Sequence, residues 1–204
     1  MATYVDTIVF DLGGVLIDWN PRYLYQKVFD DPREMEDFLT QVCSPNWNEQ
    51  QDEGRSFKEA VEQLLPVYPQ YTEEIKMYDT RWEEMLGGTI EESVTILEEL
   101  LEKSQIKIYA LTNWSEEKFP VALQKYDFLK KFKGILVSGQ ERLKKPNPQF
   151  YQRLFHKFSI DPTRALFIDD SLPNVQIARE MGMSIIHFQS PSQLKKELLA
   201  SYVI

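Results

Sequence analysis

Four short apolar runs, each leading into a chemically loaded residue, constrain this chain more than any other feature. Ile8-Val9-Phe10 ends on Asp11, the run 106–111 ends on Thr112-Asn113, and the run 165–168 ends on Asp169-Asp170. The remaining run, 134–137, is followed shortly by Lys144-Lys145-Pro146. Runs of this length and β-branched content, separated by helical stretches, predict buried strands of a parallel sheet. Such sheets bind ligands beyond the carboxyl ends of their strands, where the strand order reverses. One pocket should therefore collect Asp11, Thr112, Asn113, Lys145, Asp169 and Asp170. Three carboxylates drawn together repel one another unless a cation lies among them, and oxygen ligands favour magnesium over zinc. A hydroxyl, a lysine and Mg2+ around a carboxylate describe a phosphate site.

The rest of the chain predicts a doubly wound α/β sheet of about five parallel strands with right-handed crossovers. Residues 1–18 and 89–204 form that α/β core. Helices are expected over 89–103, 116–125, 148–158 and 174–181, with a last strand at 184–188. The segment 19–88 holds no convincing strand and reads as an inserted α-helical cap domain, with amphipathic helices over 21–29, 32–43, 56–65 and 72–86. Pro21 and Pro32 stand where helix starts tolerate proline, and Gly87-Gly88 offers a stop and a hinge.

The ordered set of motifs resembles the haloacid dehalogenase-like hydrolase superfamily along the whole chain, and within it the helical-capped phosphatases. The motifs are Phe10-Asp11-Leu12-Gly13-Gly14-Val15-Leu16, Leu111-Thr112-Asn113, Lys145-Pro146-Asn147-Pro148, and Phe167-Ile168-Asp169-Asp170-Ser171 with Asn174 and Ala178 behind it. Each is short enough to arise by chance, but four in order, each after an expected strand, are specific together. The resemblance implies a Mg2+-dependent hydrolase of small phosphate monoesters, including sugar phosphates, working through an aspartyl phosphate.

Asp11 would be the nucleophile, since a carboxylate held against Mg2+ stays ionised at neutral pH. Gly13 and Gly14 would bring backbone close to the ligand and turn N–H groups toward its oxygens. Thr112 and Asn113 would hydrogen-bond the phosphoryl group, while Trp114 lines the pocket mouth or simply packs. A lysine would neutralise the phosphoryl oxygens; the residues alone leave Lys144 and Lys145 open, and the family's Lys-Pro pattern falls on Lys145. Metal ligands would be Asp11, the Gly13 carbonyl, Asp169 and Asp170, with Asn174 bracing the loop or Lys145.

One position departs from the family's pattern. Its phosphatases usually carry a second aspartate two residues after the nucleophile, as acid for the leaving group and base for water, and here that residue is Gly13. Losing such a group costs on the order of 10² to 10⁴ in rate unless something replaces it. A carboxylate from the cap, Asp52 or Glu53, would serve; so would a good leaving group, or water alone. The superfamily's 2-haloacid dehalogenases also lack this aspartate, and a non-catalytic phospholigand-binding protein is the third alternative. Retention of both Asp169 and Asp170 favours phosphoryl transfer. In the cap, Trp19, Asn20, Trp47, Asp52, Glu53 and Arg55 are candidates to face the pocket.

Composition bounds the partners. A net charge of −9 argues against nucleic acid, whose phosphates demand clustered cations. The basic run Lys130-Lys131-Phe132-Lys133 reads as a solvated helix end. No apolar stretch approaches the roughly 20 residues that span a bilayer, and residues 1–10 lack the basic start of a secretory signal, so the expectation is a cytoplasmic protein with no membrane partner. A small phosphorylated molecule is the expected partner of a monomer or homodimer. The single cysteine, Cys43, precludes an internal disulfide and reads as a small buried hydrophobe. His156 and His187, the only histidines, give no basis for a zinc cluster or a Ser/His/Asp triad.

Overall fold

The structure is a computed structural model that describes residues 3–203; Met1 and Ala2, on which the reading of the first ten residues partly rests, lie outside it. Two strands open the chain, β1 (Thr3–Tyr4) and β2 (Thr7–Phe10), and a third, β3 (Ile17–Trp19), follows. Five α-helices come next: α1 (Arg22–Tyr25), α2 (Pro32–Asp37), α3 (Pro45–Asp52), α4 (Phe57–Leu64) and α5 (Thr72–Thr80). Strand β4 (Leu86–Thr89) then returns antiparallel to β3. Thereafter helix and strand alternate through α6 (Glu91–Leu101), β5 (Lys107–Thr112), α7 (Phe119–Lys125), β6 (Gly134–Val137), α8 (Ser138–Glu141) and α9 (Pro148–Phe158). The chain closes with β7 (Ala165–Asp169), α10 (Leu172–Glu180), β8 (Ser184–His187), α11 (Pro191–Ser201) and β9 (Tyr202–Val203), the last paired with β1.

The central sheet has the order β6-β5-β2-β7-β8, and all its pairings are parallel. Strand β2 is buried throughout because both faces are covered. Ile8 and Phe10 join one apolar cluster with Ile108, Leu166 and Ile168, while Val9 points the other way, among Phe150, Leu154 and Phe167. That two-sided burial makes the strands read as unbroken apolar runs rather than alternating ones. The winding reverses at β2, which therefore opens a crevice between β5 and β7 at its carboxyl end.

The helical insert is an aromatic bundle. Tyr25 lies 4.9 Å from Phe38, Trp47 meets Tyr78 edge-on at 4.9 Å, and the Tyr25 hydroxyl donates to the Glu74 carbonyl at 2.9 Å. Ser56 and Glu59 form a reciprocal cap at the start of α4. Insert and sheet meet through ion pairs of Lys144 with Glu49 at 2.6 Å, Lys125 with Glu83 at 3.0 Å, and Lys118 with Asp79. The Phe57 N–H also donates to Glu117 at 3.2 Å.

Several expected elements differ. The helix over 21–29 shortens to α1, because a residue before proline resists helical backbone and the chain must leave the helix before Asp31-Pro32. The helix over 32–43 divides into α2 and a π-helical turn, Phe38–Val42. The helix over 72–86 breaks at Arg81, continues as a tight turn over Trp82–Met85, and ends in β4, so the segment 19–88 contains a strand after all. Gly87-Gly88 lies within that strand, and a Cβ at Gly87 would collide with the carboxylate of Asp18 and the ring of Tyr23. Helices α3, α8 and α11 are additions. Among the described residues no helix is long and apolar enough to cross a membrane.

Candidate active site

Three strands deliver the motif residues to one edge. Asp11 follows β2 directly, Thr112 is the last residue of β5, and Asp169 ends β7. Their carboxyl ends are level because β2 pairs in register with both neighbours, Phe10 opposite Ala110 and Ile168. The Asp11 N–H donates to the Ile168 carbonyl at 2.8 Å, which extends the ladder to the site itself.

Lys145 is the centre of the cluster. Its ammonium lies 2.8 Å from Asp11 Oδ1 and 2.7 Å from Asp169 Oδ2, with its side chain 1% exposed. Lys144, adjacent in sequence, points outward to Glu49, so burial separates two lysines the sequence left alike. The Asn113 amide holds Lys145 by its main chain, donating to the Lys145 carbonyl at 3.0 Å and accepting from its N–H at 2.8 Å. Asn174 donates to both oxygens of Asp169, at 3.0 and 3.1 Å, and the Ser171 N–H donates to Asp169 Oδ1 at 2.8 Å. The Tyr151 hydroxyl in turn donates to the Asn174 carbonyl at 3.0 Å. Behind Asp170, the His187 imidazole lies 3.0 Å from the Asp170 carbonyl oxygen, a link that its place in an edge strand did not announce.

Asp11, Asp169 and Asp170 each present an oxygen within 4.8 Å of the others. With Lys145 the cluster carries two uncompensated negative charges, the complement of one divalent cation. Burial, and after it the neighbouring Asp169, push the Asp11 carboxyl up to about 8 against the pull of Lys145. Burial and Asp169 also raise Asp170. Lys145 would be lowered by burial alone, but Asp11 and Asp169 outweigh it and hold the ammonium above its ordinary value. An oxygen-only set that cannot keep its charges cheaply fits a hard cation such as Mg2+.

The glycines have distinct jobs. Gly14 is left-handed at φ +72, and a Cβ there would overlap the carboxylate of Asp170, so only glycine lets that carboxylate close over the turn. Its N–H, expected to face the ligand, donates instead to the Ile17 carbonyl at 2.9 Å. At Gly13 a Cβ would meet nothing within 4 Å.

Gly13 and Asn113, at the edge of the cluster, border a cavity of about 100 Å3 lined also by Asp52, Phe57, Trp82, Trp114, Trp19, Asn48 and Ser115; Asp11, Thr112, Lys145, Asp169 and Asp170, expected to share one pocket, converge beside it without lining it. The Thr112 hydroxyl and the indole N–H groups of Trp19 and Trp114 are buried without a protein partner, as are side-chain groups of Gln51, Ser93 and Tyr126, and such groups call for a water, ion or ligand to complete them. Of the residues expected to face the pocket, Trp19 and Asp52 do so. Trp47 packs inside the insert and donates to the Ala60 carbonyl, and Arg55 grips Gln51 and the Trp47 carbonyl. Glu53 is exposed, 3.9 Å from Lys144, and Asn20 lines a second hollow that shares Trp19 and Asn48 with the first. Phe57 and Trp82 were not foreseen as lining residues, because both read as ordinary helix-packing positions. Cys43 is buried, and burial raises its thiol, which leaves it unreactive.

Comparison with known proteins agrees with this arrangement. Residues 5–182 match the family of haloacid dehalogenase-like hydrolases. A sesquiterpene phosphatase of Aspergillus oryzae, astK, is 26% identical over 192 residues, 92% of this chain and 91% of that protein. A haloacid dehalogenase family enzyme of Bacteroides thetaiotaomicron, crystallised with magnesium and inorganic phosphate, superposes with a TM-score of 0.70 at 22% identity, over 91% of this chain and 95% of its own. The L-2-haloacid dehalogenase of Xanthobacter autotrophicus shares the fold at a TM-score of 0.63 and 18% identity, over 98% and 84%. Since the family match runs from β2 through α10 and takes in every strand end that builds the cluster, the chain belongs to the haloacid dehalogenase-like hydrolases.

Proposed function

We propose that this protein is a Mg2+-dependent phosphatase of small phosphate monoesters, with Asp11 as the nucleophile and the helical insert, residues 19–88, as a cap over the site. The observation that carries the reading is the Lys145 ammonium shared between Asp11 and Asp169 while Asp170 completes a triad of converging oxygens. The phosphatase named among its relatives, and the magnesium and phosphate held by its structural neighbour, support the same assignment.

Asp11, Asp169 and Asp170, with the Gly13 carbonyl, would hold the metal. Bound there, Mg2+ supplies charge neutralisation for the phosphoryl oxygens and the carboxylates around them. Asp11 attacks phosphorus in line with the leaving oxygen, and water later hydrolyses the aspartyl phosphate. Lys145 keeps the Asp11 carboxylate oriented and offers charge to the phosphoryl group. The Thr112 hydroxyl, free of protein partners, donates to a peripheral oxygen. Asn113 works through Lys145, whose main chain it fixes on both sides. The aromatic walls keep water from the leaving group.

A 2-haloacid dehalogenase, whose chemistry needs no metal, would have to admit a carboxylate substrate beside an acidic cluster with no cation to neutralise it, whereas a phosphate ester would meet the cluster with Mg2+ bound. A screen of phosphate esters and 2-haloacids, with and without Mg2+, separates the readings. Wild-type protein should release phosphate only with Mg2+, and Asp11→Asn should lose about 10⁴-fold or more in turnover on every ester. Halide release without metal, or undiminished hydrolysis by Asp11→Asn, would overturn the assignment.

A further inference from the structure

We propose that Asp52, brought to the pocket by the last turn of α3, is the proton donor and acceptor for the leaving group and for water, in place of the carboxylate absent at Gly13. The inference rests on the phosphatase reading given above and extends it from the sheet to the insert.

Three observations carry it. Asp52 and Gly13 border the same cavity, and the space in front of Gly13 is open, since a Cβ there meets nothing within 4 Å. A side chain at position 13 would therefore extend into open space, and Asp52 is a carboxylate on the lining of the cavity that Gly13 borders. Second, Asp52 has no structural employment: it has no side-chain hydrogen bond or ion pair among the described residues. It also ends a helix, where the dipole disfavours negative charge. A carboxylate in such a place weakens the fold, and groups of that kind are retained where activity uses them. Third, its backbone is held. Arg55 donates to Gln51 Oε1 at 2.9 and 2.6 Å and to the Trp47 carbonyl at 2.7 Å, which clamps the last turn of α3. Gly54, left-handed at φ +95, sits so close to the Gly139 carbonyl that a Cβ would press on it, so this turn rests directly on the core.

The electrostatics suit the task. Burial pushes the Asp52 carboxyl up to about 7, against the pull of Lys144 and Lys145 and with the push of Glu49 and Glu53. A group in that range gives and takes a proton readily near neutrality. As the Asp11 oxygen bonds to phosphorus and the ester P–O bond breaks, the Asp52 carboxyl passes its proton to the departing oxygen, giving an alcohol and the Asp52 carboxylate. In the second half that carboxylate accepts a proton from the attacking water as the bond between phosphorus and the Asp11 oxygen breaks. Orthophosphate leaves, and both aspartates return to their starting states.

The test compares wild type, Asp52→Asn, Glu53→Gln and the double variant Asp52→Asn/Gly13→Asp on glycerol phosphate and dinitrophenyl phosphate, each with Mg2+. Glycerol phosphate, whose alkoxide needs a proton to depart, should lose about 10² to 10³ in turnover with Asp52→Asn. With dinitrophenyl phosphate the first step needs no proton, so its burst should stay within about threefold of wild type while acid-quenched phosphoenzyme accumulates. Gly13→Asp in the double variant should restore at least about tenfold of the lost rate, and Glu53→Gln should match wild type. The melting temperature of Asp52→Asn should equal or exceed that of wild type. Equal losses in the phosphoenzyme-forming step on both esters, no loss on either, or a lowered melting temperature with the loss would overturn the proposal. Absence of Mg2+-dependent hydrolysis by wild type would instead overturn the phosphatase reading, and this inference with it.

Discussion

The two walls of the pocket are built on opposite principles. At the sheet edge, Lys145 serves two carboxylates, Asn174 and a backbone N–H serve Asp169, and Asn113 serves Lys145. Around the cavity rings dominate, Trp19, Phe57 and Trp82 being joined by Trp114 from the end of β5; among the described residues the indole N–H groups of Trp19 and Trp114 have no partner and the Asp52 side chain makes no hydrogen bond. A buried polar network whose members are mutually satisfied is stiff, and stiffness is what in-line attack requires. Unsatisfied donors are costly until a ligand completes them, so they express preference for a ligand. On the proposed function, the difference assigns the reaction to the sheet-edge cluster and discrimination between substrates to the aromatic lining.

Removing Lys145 should break the first half of that comparison. In Lys145→Met the buried Asp11 and Asp169 lose their cation, so the metal-free protein should lose about 3 kcal/mol in urea unfolding, part of it recovered by Mg2+, and turnover should be abolished. An unchanged unfolding midpoint would mean the cluster does not depend on its lysine. Thr112→Val probes the one unpartnered donor on the sheet side. Turnover should fall about 10- to 100-fold while the melting temperature holds or rises, because no protein group uses that hydroxyl. Trp114→Phe sharpens the other half: it keeps a ring and deletes an N–H, so KM for the preferred ester should rise about fivefold with kcat nearly constant, the worth of one hydrogen bond.

The smallest effect concerns pH. Asp11 titrates near 8 in the folded protein against an ordinary 3.8, so the folded state keeps a proton that the unfolded chain releases as pH rises. Stability of the metal-free protein should accordingly fall between about pH 4 and pH 8, and Asp52, raised to about 7, contributes with the same sign. Mg2+ should therefore raise the melting temperature more at about pH 8 than at about pH 5, which thermal scans at the two values would check.

Legibility followed burial. The sheet strands could be read because both faces are covered, which writes an unbroken apolar run, and the site residues stand where those runs stop. Lys144 and Lys145 were indistinguishable by composition, since only packing sends one into the cluster and the other to Glu49. The insert was harder. Helix α3 is polar and weakly amphipathic, announced only by Ser44 as its cap and Pro45 at its first position. Strand β4, Leu86-Gly87-Gly88-Thr89, has two glycines and only one β-branched residue, Thr89, and owes its conformation to pairing with β3. Asp52 could be named as a candidate carboxylate but not chosen over Glu53, because a neighbour one residue away on a helix end leaves by a different side.

The ion pairs that join insert to sheet differ in one respect from those inside the cluster. Glu49 and Glu83 are more than half exposed, and Asp79 is about a third exposed, whereas the Lys145 pairs are sealed from solvent. Mobile counter-ions screen exposed charges within about 8 Å at physiological ionic strength and scarcely reach buried ones. Added salt should thus act as a selective handle, weakening the ties between insert and core while leaving the Lys145 pairs almost untouched, so that on the proposed function small molecules would exchange faster with the bond-making groups unchanged.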